Sequence, residues 1–247
     1  MTGGRGMLVV VAHPDDEALA TGGLLARAAD EGSAGAVVTA TWAAGTSRVE
    51  ELAEALAVLG AGEPRLLGFA DARVPESAPA RPRLVDAPLD DAVRRLVAHI
   101  RDVRPEVVVT HDAYGGLTGH PDHRHTHRVA VLAAQAAGLD QMYPDVGEPW
   151  QPEAVWFATH PRSALPMLAE VVGSRRSVHT MPDTAVTHVV DVRPWLRVKL
   201  AAIAAHRSEV GRGALPGVVV GLDDATQQRL LGTEWYVEQR LAPVTVP

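Results

Sequence analysis

Short apolar runs recur along the first two thirds of the chain, separated by segments in which apolar side chains return every three or four positions. Runs rich in β-branched residues predict strands, because a strand covered on both faces of a sheet is apolar throughout. Residues 7–12 (MLVVVA) and 106–110 (EVVVT) show this pattern. Further strands are predicted at residues 35–41, 65–69, 154–159 and 186–192.

Helices are predicted between these strands. Ser47 can cap a helix over residues 47–59, and Gly60 supplies its stop. The other predicted helices cover residues 24–31, 89–103, 123–137 and a segment from Pro194 to about 207, while residues 234–241 fit either element. Strands alternating with helices predict an α/β protein with a doubly wound, mostly parallel sheet and helices on both faces. With no repeat or linker, residues 1–247 are expected to form a single domain.

Two segments lack this periodicity. Residues 70–88 contain four prolines, and a loop of this length inside a domain is often a lid or a binding loop. Residues 211–217 are rich in glycine and are expected to be mobile. Both segments are therefore predicted to lie outside the regular layers of the fold.

The charge balance narrows the class of protein. The chain has 23 Lys+Arg against 30 Asp+Glu, a net charge of −7, which argues against a nucleic-acid partner. The sequence offers neither a continuous apolar run long enough for a membrane span nor a signal-peptide pattern, so a cytoplasmic protein is expected. A symmetric homo-oligomer is compatible with a small α/β protein.

The chain contains no cysteine but eleven histidines. The absence of cysteine excludes disulfides, thiolate metal sites and a cysteine nucleophile. Any metal ion must therefore be held by histidine, aspartate or glutamate side chains.

Two motifs that combine histidine with aspartate follow predicted strands. The sequence HPDDE (residues 13–17) comes directly after the first strand, and HPDH (residues 120–123) comes about ten residues after the strand at 106–110. Ligands of open α/β sheets collect beyond the carboxyl ends of the strands, at the switch point of the topology. Both motifs are therefore expected in one crevice.

The spacing within the two motifs suits a metal ion. His13 and Asp16 are three residues apart, so a tight turn or a first helical turn points both side chains the same way. Three protein ligands and one water molecule are the usual arrangement of catalytic zinc. We therefore expect His13, Asp16 and His123 to hold one Zn²⁺ per chain, or another divalent metal in its place.

The remaining residues of the motifs are expected to carry the chemistry. Asp15 is free to act as a general base that takes a proton from metal-activated water. A protonated His120 could stabilise an oxyanion or protonate a leaving nitrogen, and Asp122 could orient it. The sequence leaves open whether Asp15 or His120 protonates the leaving amine.

Two familiar cofactor and nucleophile patterns are absent. Gly22 and Gly23 lie about ten residues beyond the first strand, and no G-x-G-x-x-G fills the turn after it. The acidic residues in that turn would repel a pyrophosphate, which argues against a dinucleotide cofactor. No G-x-S-x-G is present either, so a serine-hydrolase elbow is not supported.

Beyond these motifs, the sequence resembles the PIG-L/LmbE-like family of zinc-dependent N-acetylglucosaminyl deacetylases. The two histidine motifs, each with its flanking glycines, look like the two signatures of this family. The resemblance continues through R-x-x-E-x-x-x-A-x-x-x-L-G (residues 48–60), W-x-x-x-K (residues 195–199) and A-H-x-S (residues 205–208). It therefore covers most of the chain.

The resemblance implies a Rossmann-like single domain that hydrolyses the N-acetyl group of an N-acetylglucosamine-containing small molecule, releasing acetate and a free amine. It implies the same zinc ligands, with Asp15 as the base and His120 as the charged stabiliser. It further implies that Arg48 and Asp71 contact substrate hydroxyls.

Several departures from the family pattern bear on the substrate rather than on the metal site. Thr118 stands where members that make mycothiol have a Tyr, Ala20 where thiol-conjugate amidases have a Lys, and Glu209 where a Gln is common; residues 43–45 (AAG) replace an often acidic turn. A second hypothesis is therefore an amidase that removes a larger acyl group, such as a cysteinyl or fatty acyl group, from a glucosaminide. The same residues are also compatible with a non-catalytic metal- or sugar-binding protein and with a two-metal phosphoesterase.

Overall fold

A seven-stranded sheet runs through the part of the chain that the computed structural model describes, residues 6–33, 35–172 and 178–241. Its strands lie in the order β3-β2-β1-β4-β5-β7-β6. They are β1 (Met7–Val11), β2 (Gly35–Thr41), β3 (Arg65–Phe69), β4 (Val107–His111), β5 (Ala154–Thr159), β6 (His188–Asp191) and β7 (Thr233–Arg240). The α/β class predicted from the sequence is confirmed.

Strands β1 to β5 are parallel and have the order of a doubly wound fold: β2 and β3 are added on one side of β1, and β4 and β5 on the other, so the switch point lies between β1 and β4. The register places Val9 of β1 between Val37 of β2 and Val109 of β4. Strand β7 is antiparallel to both β5 and β6, so the sheet is mostly parallel, as predicted.

Helices cover both faces of the sheet, with α1, α2 and α6 packed on one face and α3 and α4 on the other. None of the helices in the described segments is both long and apolar enough to cross a membrane. The helices are α1 (Asp16–Asp30), α2 (Ser47–Leu59), α3 (Leu89–Val103), α4 (Pro121–Ala136), α5 (Leu165–Val172), α6 (Leu196–Ala205), α7 (Arg207–Gly211), α8 (Leu215–Val220) and α9 (Asp224–Leu231).

The continuous apolar run of β1 is explained by these two layers. Leu8 and Val10 point into the core under α3 and α4, whereas Val9 and Val11 point into the core under α1, α2 and α6. All four side chains are essentially inaccessible to solvent. The strand therefore lies at the centre of the molecule, with a structured layer on each side.

Helices α1 and α4 begin earlier than predicted. Helix α1 begins at Asp16 instead of residue 24, because Gly22 and Gly23 lie inside it and do not break it. A Cβ atom on Gly23 would lie 2.4–2.6 Å from the side-chain carbons of Val192, so glycine permits the close approach of the neighbouring segment. Helix α4 begins at Pro121 instead of 123, with proline in the first turn, where its missing N–H costs nothing.

The less regular segments are more ordered than their sequences suggest. Residues 234–241, which fit either element, belong mainly to β7, and α8 begins within the glycine-rich segment at residues 211–217. The loop over residues 70–88 contains two short 3₁₀ turns and buries Ala78 and Leu84 completely. The helix predicted to run to about residue 207 ends at Ala205 and is followed by the separate α7.

A buried ion pair ties β7 to the layer formed by α1 and α6. Lys199 Nζ lies 2.7 Å from Glu234 Oε1, and both residues are almost fully buried. Glu234 also accepts hydrogen bonds from the main-chain N–H groups of Gly23 and Leu24 and from the Tyr236 hydroxyl. Both charges are thus paired and hydrogen-bonded, the condition under which buried charges are tolerated.

The close approach at Gly23 predicts a sharp response to a single methyl group. We expect Gly23→Ala to lower the free energy of unfolding by about 1–3 kcal/mol, because the new Cβ overlaps Val192 and one of the two segments must move. Gly211→Ala is the matched control, since its Cβ would meet no atom within 4 Å. Urea unfolding followed by circular dichroism measures both, and equal stability of the two variants would contradict the prediction.

Candidate active site

The crevice at the switch point of the sheet collects the two histidine motifs. The turn at residues 12–16 leaves the carboxyl end of β1, and the loop at residues 112–120 leaves the carboxyl end of the adjacent β4 and leads into α4. His13, Asp16 and His123 meet between them. The two motifs, distant in sequence, therefore lie in one crevice, as expected from the topology.

Three side-chain atoms in this crevice form a nearly equilateral triangle. His13 Nδ1 lies 3.1 Å from His123 Nε2 and 3.3 Å from Asp16 Oδ2, and the distance from His123 Nε2 to Asp16 Oδ2 is 3.2 Å. A tetrahedral site with zinc–ligand bonds of about 2.0–2.1 Å needs ligand atoms about 3.3 Å apart. The spacing of the triangle therefore matches that of a zinc ligand set.

The outward nitrogens of both histidines have hydrogen-bond acceptors. His13 Nε2 lies 3.2 Å from Asp122 Oδ2 and 3.1 Å from Asp71 Oδ2, while His123 Nδ1 lies 3.1 Å from the carbonyl oxygen of Gly115. When neutral, each ring donates its one proton outward, so its inward nitrogen keeps a lone pair. Three acceptors then face one another, an arrangement that a cation stabilises.

The electrostatic environment of His13 also favours positive charge. Burial lowers the pKa of this histidine, but the carboxylates of Asp122, Asp16 and Asp71 outweigh it and raise the pKa well above its usual value. The same carboxylates would stabilise a metal cation bound to the ring. Chemistry, spacing and charge of the triangle all fit a divalent ion.

His111, the last residue of β4, packs against the triangle. Its ring stacks on that of His123 with 4.1 Å between centroids, and its Nε2 accepts a hydrogen bond from the N–H of Ala12. Nε2 also lies 3.6 Å from Asp16 Oδ2, so His111 could complete a second group of ligand atoms. Because the bond from Ala12 already occupies its lone pair, we assign His111 to positioning His123.

Asp15 lies at the N-terminus of α1 in a strained conformation. Its φ of 127° is far from the values that non-glycine residues adopt, at a cost on the order of 1–3 kcal/mol. Its N–H donates to Glu17 Oε2, and its carbonyl oxygen accepts from Leu19 N–H. The carboxylates of the two adjacent acids have different partners, Arg48 for Asp15 and the histidines of the triangle for Asp16.

The pKa of Asp15 departs strongly from that of a free aspartate. Burial and the nearby Asp16 carboxylate raise it to about 7, although the positive charge of Arg48 acts in the opposite direction. The group lies beside the triangle without being part of it. It therefore has the position expected of a proton acceptor.

The guanidinium of Arg48, in the first turn of α2, holds the Asp15 carboxylate. Arg48 Nη2 lies 3.0 Å from Asp15 Oδ2 and donates to the carbonyl oxygen of Pro14, while Nη1 lies 3.0 Å from Glu209 Oε1. The guanidinium also sits over the ring of Trp42. Arg48 is thus almost fully buried and already paired, and a substrate contact by this residue stays a prediction.

A buried acid–histidine pair stabilises the turn at residues 12–16. Glu17 Oε1 lies 2.7 Å from His206 Nε2, both residues have no solvent exposure, and Glu17 Oε2 holds the N–H of Asp15. Sequence reasoning missed this role of His206, although the A-H-x-S motif after α6 carried the signal. It also missed that Glu209, the departure next to that motif, pairs with Arg48.

His120 caps helix α4, and its ring packs in a T-shaped arrangement against the ring of His13, with 4.7 Å between centroids. Its Nδ1 accepts a hydrogen bond of 3.2 Å from the N–H of Asp122, so a neutral ring carries its proton on Nε2. Burial, together with the nearby His13 and His123, lowers the pKa of His120 to about 4. A neutral His120 is a hydrogen-bond donor through Nε2, and the role of a charged stabiliser stays a prediction.

Asp122 departs from its expected partner. Its carboxylate was expected to orient His120, but Oδ2 lies 3.8 Å from His120 Nδ1 and only 3.2 Å from His13 Nε2. The physical reason is the helix start, since the main-chain N–H of Asp122 reaches His120 and the side chain turns toward His13. The carboxylate also accepts the N–H of Ala72, which fastens the 70–88 loop to the site.

Asp71 lies in the same loop and also contacts His13. Its Oδ1 accepts the N–H groups of Arg73 and Val74, and its Oδ2 is the atom 3.1 Å from His13 Nε2. Burial alone would raise the pKa of Asp71, but the hydrogen bond and the charge of His13 outweigh it and lower the pKa. Asp71 therefore joins the loop to the site, and its expected contact with a substrate hydroxyl stays a prediction.

The fold and the site together define a class, an α/β enzyme with a cluster suited to a divalent cation at the switch point of its sheet. The sequence model of the family described as PIG-L, GlcNAc-PI de-N-acetylase, matches residues 8–134, and the chain belongs to this family. The expected family and the expected class of enzyme, a deacetylase that hydrolyses an amide bond, are confirmed.

Relatives and solved structures agree with this assignment. The chain is 38% identical to the 1D-myo-inositol 2-acetamido-2-deoxy-alpha-D-glucopyranoside deacetylase of Rhodococcus jostii, over 94% of this chain and 91% of the relative. The conserved protein TT1542 of Thermus thermophilus matches with a TM-score of 0.66 and 28% identity, over 98% of each chain. The N,N'-diacetylchitobiose deacetylase of Pyrococcus horikoshii shares the fold, with a TM-score of 0.65, 18% identity and coverage of 96% of this chain and 84% of its own.

The contact between Asp122 and His13 predicts a change in metal affinity. We expect Asp122→Asn to weaken the binding of zinc by about 10- to 100-fold, because the amide cannot supply the negative charge that makes the ring a better ligand. Asp30→Asn removes an equal charge from the far end of α1 and should leave the affinity within about twofold. Competition with a chromophoric chelator measures both, and an unchanged affinity in Asp122→Asn would refute the role of this carboxylate.

Proposed function

We propose that this protein uses one Zn²⁺, held by His13, Asp16 and His123, to hydrolyse the N-acetyl group of an N-acetylglucosamine-containing small molecule. The observation that carries the proposal is the triangle of ligand atoms 3.1–3.3 Å apart, with Asp15 and His120 beside it. The amide C–N bond breaks, water supplies the new oxygen, and acetate and a free amine are released.

The relatives support the choice of substrate. The Rhodococcus jostii protein is named as a deacetylase of a 2-acetamido sugar joined to 1D-myo-inositol, and its match covers nearly the whole of this chain. Other relatives of similar identity, from Rhodococcus and Streptomyces, carry the same name. The inositol glycoside is therefore our first candidate substrate.

Each residue of the site has a proposed task in this reaction. A zinc ion bound at the triangle would supply Lewis acidity, polarising the amide carbonyl and lowering the pKa of water to near 7. Asp15 accepts the proton of the attacking water on its carboxylate, which the Arg48 guanidinium orients. His120 donates a hydrogen bond from Nε2–H to the oxygen on which negative charge develops.

The surrounding residues hold these groups in place. Asp122 and Asp71 orient the ring of His13, and Gly115 does the same for His123 through its carbonyl oxygen. Because these partners fix the tautomers of both rings, the lone pairs of the site are formed before substrate arrives. Such preorganisation is the usual source of electrostatic catalysis.

The proposal predicts acetate release that depends on one metal ion per chain. The purified protein should release acetate from the acetamido-glucosyl inositol, lose this activity on treatment with a chelator, and regain it with one equivalent of zinc. Elemental analysis and an acetate assay measure the two quantities. Two tightly bound metals in the active protein would instead favour a phosphoesterase-type site, and zinc binding without turnover on acetamido sugars would contradict the proposed function.

The two catalytic residues should be separable from metal binding. We expect Asp15→Asn to lower kcat by about 10²- to 10⁴-fold, because the amide cannot accept a proton. His120→Gln should lower kcat by about 10²- to 10³-fold, because the N–H of the new amide lies in a different position from Nε2–H of His120. Neither substitution should alter the zinc content, because neither Asp15 nor His120 supplies an atom of the triangle. Full acetate release by zinc-loaded Asp15→Asn would rule out Asp15 as the base.

A further inference from the structure

An apolar cavity begins at the triangle and extends under the C-terminal part of the chain. It has a volume of about 140 Å³, and Asp16 and His123 form its inner end. Leu117, Val219 and Leu230 are among the apolar side chains of its wall. The proposed mechanism uses none of these apolar residues.

The two sides of the triangle differ in chemistry. We call the polar group formed by Asp15, Arg48, Asp71 and His120 the first side and the cavity the second side, because none of these four residues lines the cavity. A sugar, with a hydroxyl group on most of its carbons, fits the first side, where charged and polar groups can bind it. The second side offers mainly carbon surface, which suits the part of an N-acyl glucosaminide that has no hydroxyls, its acyl chain.

Lys199, Glu234 and His160 in the cavity wall are either paired with an opposite charge or neutral. Lys199 and Glu234 both reach the wall, but they neutralise each other in their 2.7 Å ion pair. Desolvation and the charge of Lys199 lower the pKa of His160 to about 4, so this wall residue is neutral at physiological pH. An uncharged chain therefore fits the cavity better than one that ends in a carboxylate or an ammonium group.

The volume sets the length of that chain. An apolar cavity of about 150 Å³ accommodates benzene, so this cavity has room for about six carbon atoms. An acetyl group would fill only the end beside Asp16 and His123. The rest of the cavity would stay empty in a complex with an N-acetyl substrate.

We propose that this cavity binds the acyl chain of the substrate, and that the protein hydrolyses glucosaminides with unbranched, uncharged N-acyl groups of up to about six carbons. This inference rests on the proposed function, since it uses the same reaction. Water adds to the acyl carbonyl carbon, the C–N bond breaks, and the products are a short fatty acid and the free amine. Each methylene group that enters the cavity contributes up to about a fourfold increase in kcat/KM.

A series of substrates tests the chain length and the charge. The zinc-loaded full chain is assayed with glucosaminides of one aglycone carrying N-acetyl, N-butanoyl, N-hexanoyl or N-succinyl groups, and the free amine is measured. We expect kcat/KM for hexanoyl to equal or exceed that for acetyl. We also expect succinyl, which matches butanoyl in length but ends in a carboxylate, to be hydrolysed at least tenfold more slowly than butanoyl.

Adjacent residues of α8 provide a matched pair of variants. Val219 is buried in the cavity wall, whereas Val218 is 39% exposed and does not line it. Val219→Trp should lower the ratio of hexanoyl to acetyl hydrolysis at least tenfold, and Val218→Trp should leave this ratio unchanged. Leu168→Trp, which fills the cavity from α5, gives a second test if Val219→Trp does not fold by circular dichroism.

The outcomes separate this inference from the proposed function. Hydrolysis of the acetyl substrate with a lower kcat/KM for hexanoyl overturns the acyl cavity alone. An unchanged ratio in every folded tryptophan variant that fills the cavity also overturns it. Failure to hydrolyse any member of the series overturns the proposed function and the acyl cavity together.

Discussion

The proposed chemistry of this site depends on two adjacent carboxylates with different partners, Asp15 with Arg48 and Asp16 with His13 and His123. If Asp15 and Asp16 pointed in the same direction, both would face the triangle and neither would be free to accept a proton. The turn separates them by placing Asp15 at a φ of 127°, a conformation that costs energy and needs support. That support comes from Glu17, which holds the main-chain N–H, and from Arg48, which holds the carboxylate. The remaining contacts of the site maintain this division.

The same logic explains why charged residues are so frequent in the buried part of the crevice. Glu17 is buried because its partner His206 is buried with it, and Glu234 is buried with Lys199. Such pairs contribute little net stability compared with apolar side chains, because desolvation offsets most of their attraction. Their value lies in geometry, since each pair fixes a main-chain N–H of α1 or of the turn before it at a defined position.

The layers of the fold and the residue types of the site follow from local sequence, whereas the side-chain contacts between distant residues do not. The apolar runs of β1 and β4 and the two histidine motifs after them were sufficient to predict one crevice. The predicted start of α1 is wrong because Gly22 and Gly23 look like helix breakers in isolation, whereas in the structure they allow Lys199 and Val192, respectively, to approach the helix closely. The turn of Asp122 toward His13 depends on how α4 begins, and the pair of Glu17 and His206 spans 189 positions of the chain. The A-H-x-S motif marks His206 as a candidate, but neither it nor the HPDH motif indicates which side chain its residue contacts.

The wide separation of these partners in sequence means that the residues of the site are translated at different times. The region matched by the family, residues 8–134, holds all three proposed zinc ligands, and its strands can pair while later segments are still being synthesised. His206 and Glu209, which complete the support of the Asp15 turn, are translated only afterwards. The residues proposed to bind the metal are therefore translated before those that complete the support of the proposed base.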